Sequence, residues 1–475
     1  MLEKKEFYIK GQWVAPAAAN DYAVINPSTE EQCAVISLGG QADTDSAVAA
    51  ARAAFDSWSQ TSKEERTRLI EKLKEVYIAR QEEMAQAMSQ EMGAPIDLSR
   101  AQQVGAGSWH IDGFLKAFED FSFERDFTSS EKTLLEPIGV CALITPWNWP
   151  MNQIILKAIP AMATGCTVIL KPSEIAPLSG VLFAEFVHEA GFPAGVFNLV
   201  NGDGPGVGSQ LSSHPEVDMV SFTGSTRAGI AISKAAADTL KRVSLELGGK
   251  GANVIFEDAH PKAAKAGAIR CFRNSGQSCN APTRMLVHKS RYDEAVEMAA
   301  DVATNTHVGP ASEEGKHIGP VVSEAQFNKI QGLIEKGMSE ARLVAGGLGR
   351  PDGLNRGYYV KPTVFADVTN DMTIAQEEVF GPVLSIIPFE TEEEAIAIAN
   401  DTPYGLTNYI QTEDTDKRRR VARRLRSGMV ETNGQGFAMG SPFGGYKQSG
   451  NGREGGVFGL EEFLEVKAVS GWAAE

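Results

Sequence analysis

Val140-Cys141-Ala142-Leu143-Ile144-Thr145-Pro146-Trp147-Asn148-Trp149-Pro150 is an unbroken apolar run that stops at a polar, proline-flanked loop. A run without alternation suits a strand covered on both faces, as in a parallel sheet, because a strand with one wet face would alternate. Downstream, a helix runs to about residue 163, followed by the apolar run Thr167-Val168-Ile169-Leu170 and a turn at Lys171-Pro172-Ser173-Glu174. A helix over 178–190, a strand over 196–200 and the Gly-rich stretch 202–208 come next. Strand, helix, strand at this cadence predicts a doubly wound α/β sheet, and such sheets bind ligands beyond the carboxyl ends of their strands. The loops 145–150, 171–174 and 202–208 sit at such ends. A further end follows Met219-Val220-Ser221-Phe222, where Thr223-Gly224-Ser225-Thr226 opens a helix whose free N–H groups suit a phosphate. This is a nucleotide site in outline.

Upstream of this unit, residues 7–40 read as short strands and turns, and 44–58, 62–79 and on to about 117 as helices, with Ser62 and Glu65 forming a capping-box start. Downstream, a second α/β unit begins near Gly251, with strands at 253–256, 284–288, 344–345, 364–365 and 383–387 and helices at 261–272, 323–339 and 392–399. The tail, Phe463 to Val469, alternates like an exposed strand, and with 133–136 it forms either an intersubunit sheet or an edge within one subunit. The dinucleotide fingerprint GxGxxG occurs at Gly450-Asn451-Gly452-Arg453-Glu454-Gly455, but with no strand before it and no clear helix after it, so it reads as a loop.

A chain of 475 residues exceeds what one core sustains, so two or three domains are expected. Five irregularly spaced cysteines suggest neither a disulfide framework nor a metal site, and a reducing cytoplasm fits them best. The N-terminus lacks an apolar targeting segment, and no uninterrupted apolar stretch approaches the roughly 18 residues a membrane span needs. A net charge of −16 argues against nucleic acid. The basic run Lys417 to Arg426 reads instead as a solvated helix face, with Val421, Ala422 and Leu425 as its inner stripe.

Gly276-Gln277-Ser278-Cys279-Asn280 places a cysteine among small polar residues, an exposed and flexible setting that suits a nucleophile better than core filling. Glu246-Leu247-Gly248-Gly249-Lys250 supplies a carboxylate beside glycines that permit close approach, although a helix-end Glu with a Gly cap explains it equally. None of the seven histidines sits in a comparable loop, so a Cys whose proton is taken by Glu through water is favoured over a Cys–His pair.

Seven motifs, in order, resemble the NAD(P)-dependent aldehyde dehydrogenase superfamily: Pro146-Trp147-Asn148-Trp149-Pro150, Lys171-Pro172-Ser173-Glu174, Phe222-Thr223-Gly224-Ser225, Glu246-Leu247-Gly248-Gly249-Lys250, Gly276-Gln277-Ser278-Cys279, Glu377-Glu378-Val379-Phe380-Gly381-Pro382 and Pro442-Phe443-Gly444-Gly445-Tyr446-Lys447. The resemblance implies a Rossmann-like cofactor domain (1–120 and 138–248), an α/β catalytic domain (249–442) and a small β oligomerisation segment (121–137 and 460–475) in a homodimer or homotetramer. It implies oxidation of an aldehyde to an acid, with Cys279 as nucleophile, Glu246 as base, Asn148 in the oxyanion hole and Lys171 in a supporting catalytic role.

For the cofactor, the resemblance points to Ile144, Thr145, Pro146, Trp147, Lys171, Glu174, Gly204, Gly208, Phe222, Thr223, Gly224, Ser225, Leu247, Glu378 and Phe380. Glu174 would repel a 2′-phosphate and so favours NAD, while Lys171 leaves some NADP use compatible. Trp149, Gln153, Leu156, Ser278, Asn280 and Phe437 are expected to wall the substrate tunnel. They suit a medium-sized aldehyde, aliphatic or aromatic, and no arginine stands out as a carboxylate clamp. No metal is expected. The alternatives are a semialdehyde dehydrogenase, a CoA-acylating enzyme on the same thioester, and a non-catalytic binding protein on the same fold.

Overall fold

In the computed structural model, which describes residues 2–472, the run Val140–Ile144 is an inner strand with every residue buried. Its seven-stranded sheet runs Arg242–Glu246, Met219–Thr223, Val140–Ile144, Thr167–Lys171, Phe197–Leu199, Phe7–Ile9, Gln12–Val14. The first five strands are parallel, and Phe7–Ile9 joins antiparallel. The helices Gln41–Ser59, Pro150–Thr164 and Leu178–Ala190 pack against this sheet, which is why its strands are apolar throughout. The chain moves one way from Val140–Ile144 through Phe197–Leu199 and then returns to the other side of Val140–Ile144 with Met219–Thr223. Such a reversal opens a crevice at the strands' carboxyl ends, between loop 145–149 and the start of the helix Thr226–Ala237, which Ser225 caps by accepting from the Ala228 N–H.

A second seven-stranded sheet runs Arg342–Ala345, Thr363–Ala366, Val383–Phe389, Arg284–His288, Ala252–Ile255, Thr407–Gln411, Met429–Thr432, parallel except for its first strand. The strands at 407–411 and 429–432 are absent from the sequence reading because polar residues such as Asn408, Gln411 and Glu431 interrupt their apolar pattern. Two three-stranded sheets complete the chain, one of them Leu464–Ser470, Glu131–Pro137, Glu124–Asp126. The tail pairs with residues 131–137 of its own chain, from Leu464 opposite Pro137 to Ser470 opposite Glu131, so this pairing needs no second subunit. Residues 473–475 of the expected 460–475 segment lie outside the described residues.

Ser62 caps the helix Lys63–Ala79, accepting from the Glu65 N–H at 3.1 Å. The basic helix Thr415–Arg424 buries Val421, and Lys417, Arg420 and Arg424 pair with Glu257, Glu392 and Glu393, so part of the positive run is matched by neighbouring carboxylates. Among the described residues no helix is long and apolar enough to cross a membrane, and no group of three or more His, Cys, Asp or Glu is placed to hold a metal.

Candidate active site

The helix Ala263–Phe272 ends in a left-handed reversal: Asn274, Ser275 and Gly276 have φ of 51°, 56° and 73°. Such backbone is disfavoured for side-chain-bearing residues and persists only where surroundings fix it. Here Asn274 Nδ2 donates to the carbonyls of Asn148 (3.1 Å) and Gln277 (3.2 Å), Ser275 Oγ to that of Gly319 (2.7 Å), and the Val322 N–H to Gln277 Oε1 (2.9 Å). Gly276 is required, since a Cβ there would lie 2.0 Å from the Gly381 carbonyl oxygen. The loop is therefore tightly bonded rather than exposed and flexible as its composition suggests. Cys279 emerges from it partly buried, and burial, with Glu378 and Glu246 nearby, pushes its thiol up to about 12.

Glu246 ends the strand Arg242–Glu246, and so is no helix terminus. It is 2 % exposed, and neither carboxyl oxygen has a hydrogen-bond partner among the described residues. Burial and the neighbouring Glu454 raise its pKa well above the ordinary carboxyl value, opposed by Lys157 and Arg453. Lys157 and Glu454 form a buried ion pair, with Glu454 Oε2 otherwise unpartnered. Neither was singled out from the sequence, yet Lys157 is the one charge in the helix Pro150–Thr164, a signal of buried polar employment. Asn148, 4 % exposed, donates its side-chain amide to the Gln277 carbonyl at 3.1 Å, which holds it against the cysteine loop.

Two clefts meet at Cys279. The first, about 210 Å³, lies at the crevice of the first sheet and is lined by Pro146, Trp147, Asn148, Thr223, Gly224, Ser225, Leu247, Glu378 and Phe380, joined by Gly248, Gln326 and Lys329. Glu378 accepts from the Gly249 N–H at 2.9 Å, and burial raises its carboxyl. Phe380, at φ 56°, sets its ring edge-on to Trp147 with centroids 5.4 Å apart. The second cleft, about 270 Å³, is lined by Trp149, Gln153, Leu156, Ser278 and Asn280, with His110, Asn152, Arg270, Arg273 and Phe443. Cys279 is the residue common to both linings. The His110 Nε2–H donates to Asn152 Oδ1 at 2.8 Å, and burial lowers the His110 pKa to about 4, so it is neutral at physiological pH.

Other sequence candidates fall elsewhere. Phe437 lies in an exposed loop and lines neither cleft; glycines at 434 and 436 carry that loop outward, and Phe443 stands in the second cleft instead. Lys171 is not at the thiol: its ammonium donates to the Gly202 carbonyl at 2.5 Å and pairs with Glu174 at 3.4 Å, and it borders neither cleft. Gly204 and Gly208 belong to a turn capped by Asp203, which accepts from the Gly206 N–H at 2.6 Å. Ile144, Thr145 and Phe222 sit at strand ends without lining the first cleft. From the sequence no arginine stands out as a carboxylate clamp; Arg270 and Arg273, upstream of the cysteine and outside the motifs, line the second cleft, with Arg270 paired to Glu431.

The profile of the aldehyde dehydrogenase family matches residues 13–469. The 3-succinoylsemialdehyde-pyridine dehydrogenase of a Pseudomonas species is 52% identical over 475 residues, 99% of each chain. A crystal structure of an aldehyde dehydrogenase from Bartonella henselae superposes with a TM-score of 0.99 at 57% identity, covering 99% of this chain and 100% of that one. That of an aldehyde dehydrogenase mutant from Pseudomonas syringae, in complex with NAD+ and octanal, gives 0.98 at 50% identity, covering 99% and 97%. With a family match of this length and relatives this similar along the whole chain, the protein belongs to the aldehyde dehydrogenase family.

Proposed function

We propose that the chain oxidises an aldehyde to the carboxylic acid with NAD, through a thioester on Cys279. The observation that carries this is that Cys279 alone lines both clefts, with a buried carboxyl at Glu246 that has no structural hydrogen bond to make. The first cleft suits the phosphate and nicotinamide-ribose part of a dinucleotide: it opens at the strands' carboxyl ends, pairs a helix start at Ser225 with a carboxylate at Glu378 suited to ribose hydroxyls, and includes apolar Pro146, Leu247 and Phe380. Gly224 leaves room there that a side chain would lose, since its Cβ would press on the Phe222 ring at 2.4 Å. When bound, NAD supplies the hydride acceptor. The NAD+ and octanal in the Pseudomonas syringae relative support both the cofactor and the substrate class. Glu174 and a Lys171 already committed to Gly202 favour NAD over NADP.

In this reading the Cys279 thiol passes its proton to Glu246 as the sulfur attacks the aldehyde carbon. The developing oxyanion is held by the Asn148 amide and the Cys279 N–H, a pair whose loss costs about 10²–10³ in rate per donor. Once the bound cofactor had taken the hydride and Glu246 had released its proton to solvent, the carboxylate would take a proton from the water that cleaves the thioester and return it to the departing Cys279 sulfur; its oxygens, bonded to no described residue, support hydrolysis over transfer to coenzyme A. The Glu454–Lys157 pair beside it tunes that exchange, one partner raising and the other lowering its proton affinity. Residues 1–120 and 138–248 would serve as the cofactor domain, 249–442 as the catalytic domain, and 121–137 with 460–475 as the bridge of a cytoplasmic homodimer or homotetramer.

The test is NADH formation across short, long-chain, aromatic and semialdehyde substrates, each with NAD and with NADP, with the acid product identified. Turnover with NAD that Cys279→Ser abolishes, while cofactor binding survives, is the expected result; equal turnover in that variant would overturn the reading.

A further inference from the structure

The turn that carries Cys279 is held from both sides. The Ala281 N–H donates to the Ser278 carbonyl at 3.0 Å, so Cys279 and Asn280 are the central residues of a β-turn. On one side the Trp149 indole N–H donates to Ser278 Oγ at 2.8 Å. On the other, the Tyr409 hydroxyl donates to the Asn280 carbonyl.

Tyr409 is 2 % exposed and stands on the inner strand Thr407–Gln411 of the second sheet. The Arg270 guanidinium covers its ring, 4.6 Å from the centroid. Arg270, from the helix that leads into the cysteine loop, is in turn paired with Glu431, a buried carboxylate on the edge strand Met429–Thr432. A chain of contacts thus runs from Glu431 through Arg270 and Tyr409 to the carbonyl next to the thiol. Packing alone does not call for it. A phenylalanine would fill the same space, whereas a buried phenol needs a partner, and the one it takes is in the nucleophile's turn. A buried carboxylate and a guanidinium are likewise costly unless paired, and here their pairing fixes the ring from its face.

We propose that Tyr409, braced by Arg270 and Glu431, is a positioning residue for the nucleophile, setting the turn so that the Cys279 sulfur and N–H face the Asn148 amide together. This rests on Cys279 being the nucleophile. Tyr409 touches neither aldehyde nor cofactor in this role; it acts through the Asn280 carbonyl. Its effect therefore belongs to the acylation step and not to binding, because a misplacement of about 1 Å costs up to about 100-fold in rate without removing any ligand contact.

The experiment is single-turnover NADH formation, with aldehyde KM, NAD affinity and melting temperature measured in parallel, for wild type, Tyr409→Phe, Arg270→Met, Arg270→Lys and the double variant Tyr409→Phe/Arg270→Met. Tyr409→Phe is expected to slow the burst about tenfold or more, with KM and NAD affinity changed less than about twofold. Arg270→Met follows in the same direction, Arg270→Lys recovers part of the loss, and the double variant is no worse than the poorer single, since the arginine acts through the tyrosine. A wild-type burst rate in Tyr409→Phe would overturn the proposal, as would losses in NAD affinity and folding that match the loss in rate. Additive losses in the double variant would remove Arg270 from it. A burst that survives in Cys279→Ser, measured alongside these variants, would overturn the nucleophile reading itself, a result distinct from each of these.

Discussion

Burial pushes the Cys279 thiol up to about 12, so in the proposed reaction Cys279 would give up its proton during attack rather than stand ready as a thiolate. The acceptor has the matching property: burial raises Glu246 out of the ordinary carboxyl range, which brings the two proton affinities together. Two opposite effects follow for Glu246→Gln. Turnover should fall about 10²- to 10⁴-fold for want of the base, measured as steady-state NADH. Alkylation of Cys279 by iodoacetamide at mildly alkaline pH should instead speed up, by roughly two- to fivefold, because a carboxylate that disfavours the thiolate is gone. Alkylation slowed along with turnover would mean that Glu246 activates a standing thiolate. At this scale the motifs pointed to Cys279, Glu246 and Asn148, which the fold brings to one place. The sequence was not legible for Lys157, Glu454, Arg270 and Arg273, whose meaning comes from being folded together across distances of more than a hundred residues in the chain.

The elements around the site hold it by a few buried contacts whose removal has predictable signs. Lys157→Met should leave Glu454 as an unpaired buried carboxylate and destabilise the fold by about 3–5 kcal/mol, while the double variant Lys157→Met/Glu454→Gln recovers most of that loss in a denaturant titration. Gly450 bridges Glu246 at φ 122°, and a Cβ there would lie 1.9 Å from the Leu245 carbonyl oxygen. Gly450→Ala should therefore displace the strand end that carries the base and depress turnover more than it depresses cofactor binding. The same glycine begins the stretch that matches a dinucleotide fingerprint, and its actual employment is to let a loop pass close to a strand.

Glu91 accepts from the Leu178 and Ser179 N–H groups at the start of the helix Leu178–Ala190, and burial raises its carboxyl from 4.5 to about 7. The folded chain holds a proton that the unfolded chain has released, so this group's stabilisation is full below pH 4.5 and is lost as pH rises through about 7. Glu91→Gln should flatten the melting temperature across that window; an unchanged slope would remove Glu91 as its source. Long apolar or periodic elements such as Val140–Ile144 and Leu178–Ala190 were readable because burial on both faces or one face leaves its pattern in the residues. Thr407–Gln411 was not, since its polar residues are spent on internal bonds, Asn408 accepting from the Ala252 N–H at 2.9 Å and Gln411 donating to Asn253 at 3.0 Å.

For the whole molecule, two α/β units contribute the two sides of the proposed site: strand ends of the first sheet supply the crevice and Glu246, and the second unit supplies the loop that carries Cys279. The two α/β units could be read from the order of apolar runs and the β extension from the alternating tail, but where the clefts meet could not, because the cysteine loop follows a left-handed reversal through two consecutive side-chain-bearing residues, Asn274 and Ser275, of which only asparagine visits that region readily. The account stands on covalent catalysis at that meeting point. The measurement that tests it most directly is the mass of the wild-type chain, acid-quenched during the first turnover with NAD and an aldehyde it oxidises. One equivalent of NADH per chain, with an acyl group on a peptide containing Cys279, is the predicted result. NADH released with no acyl adduct, or an adduct on another cysteine, would contradict it.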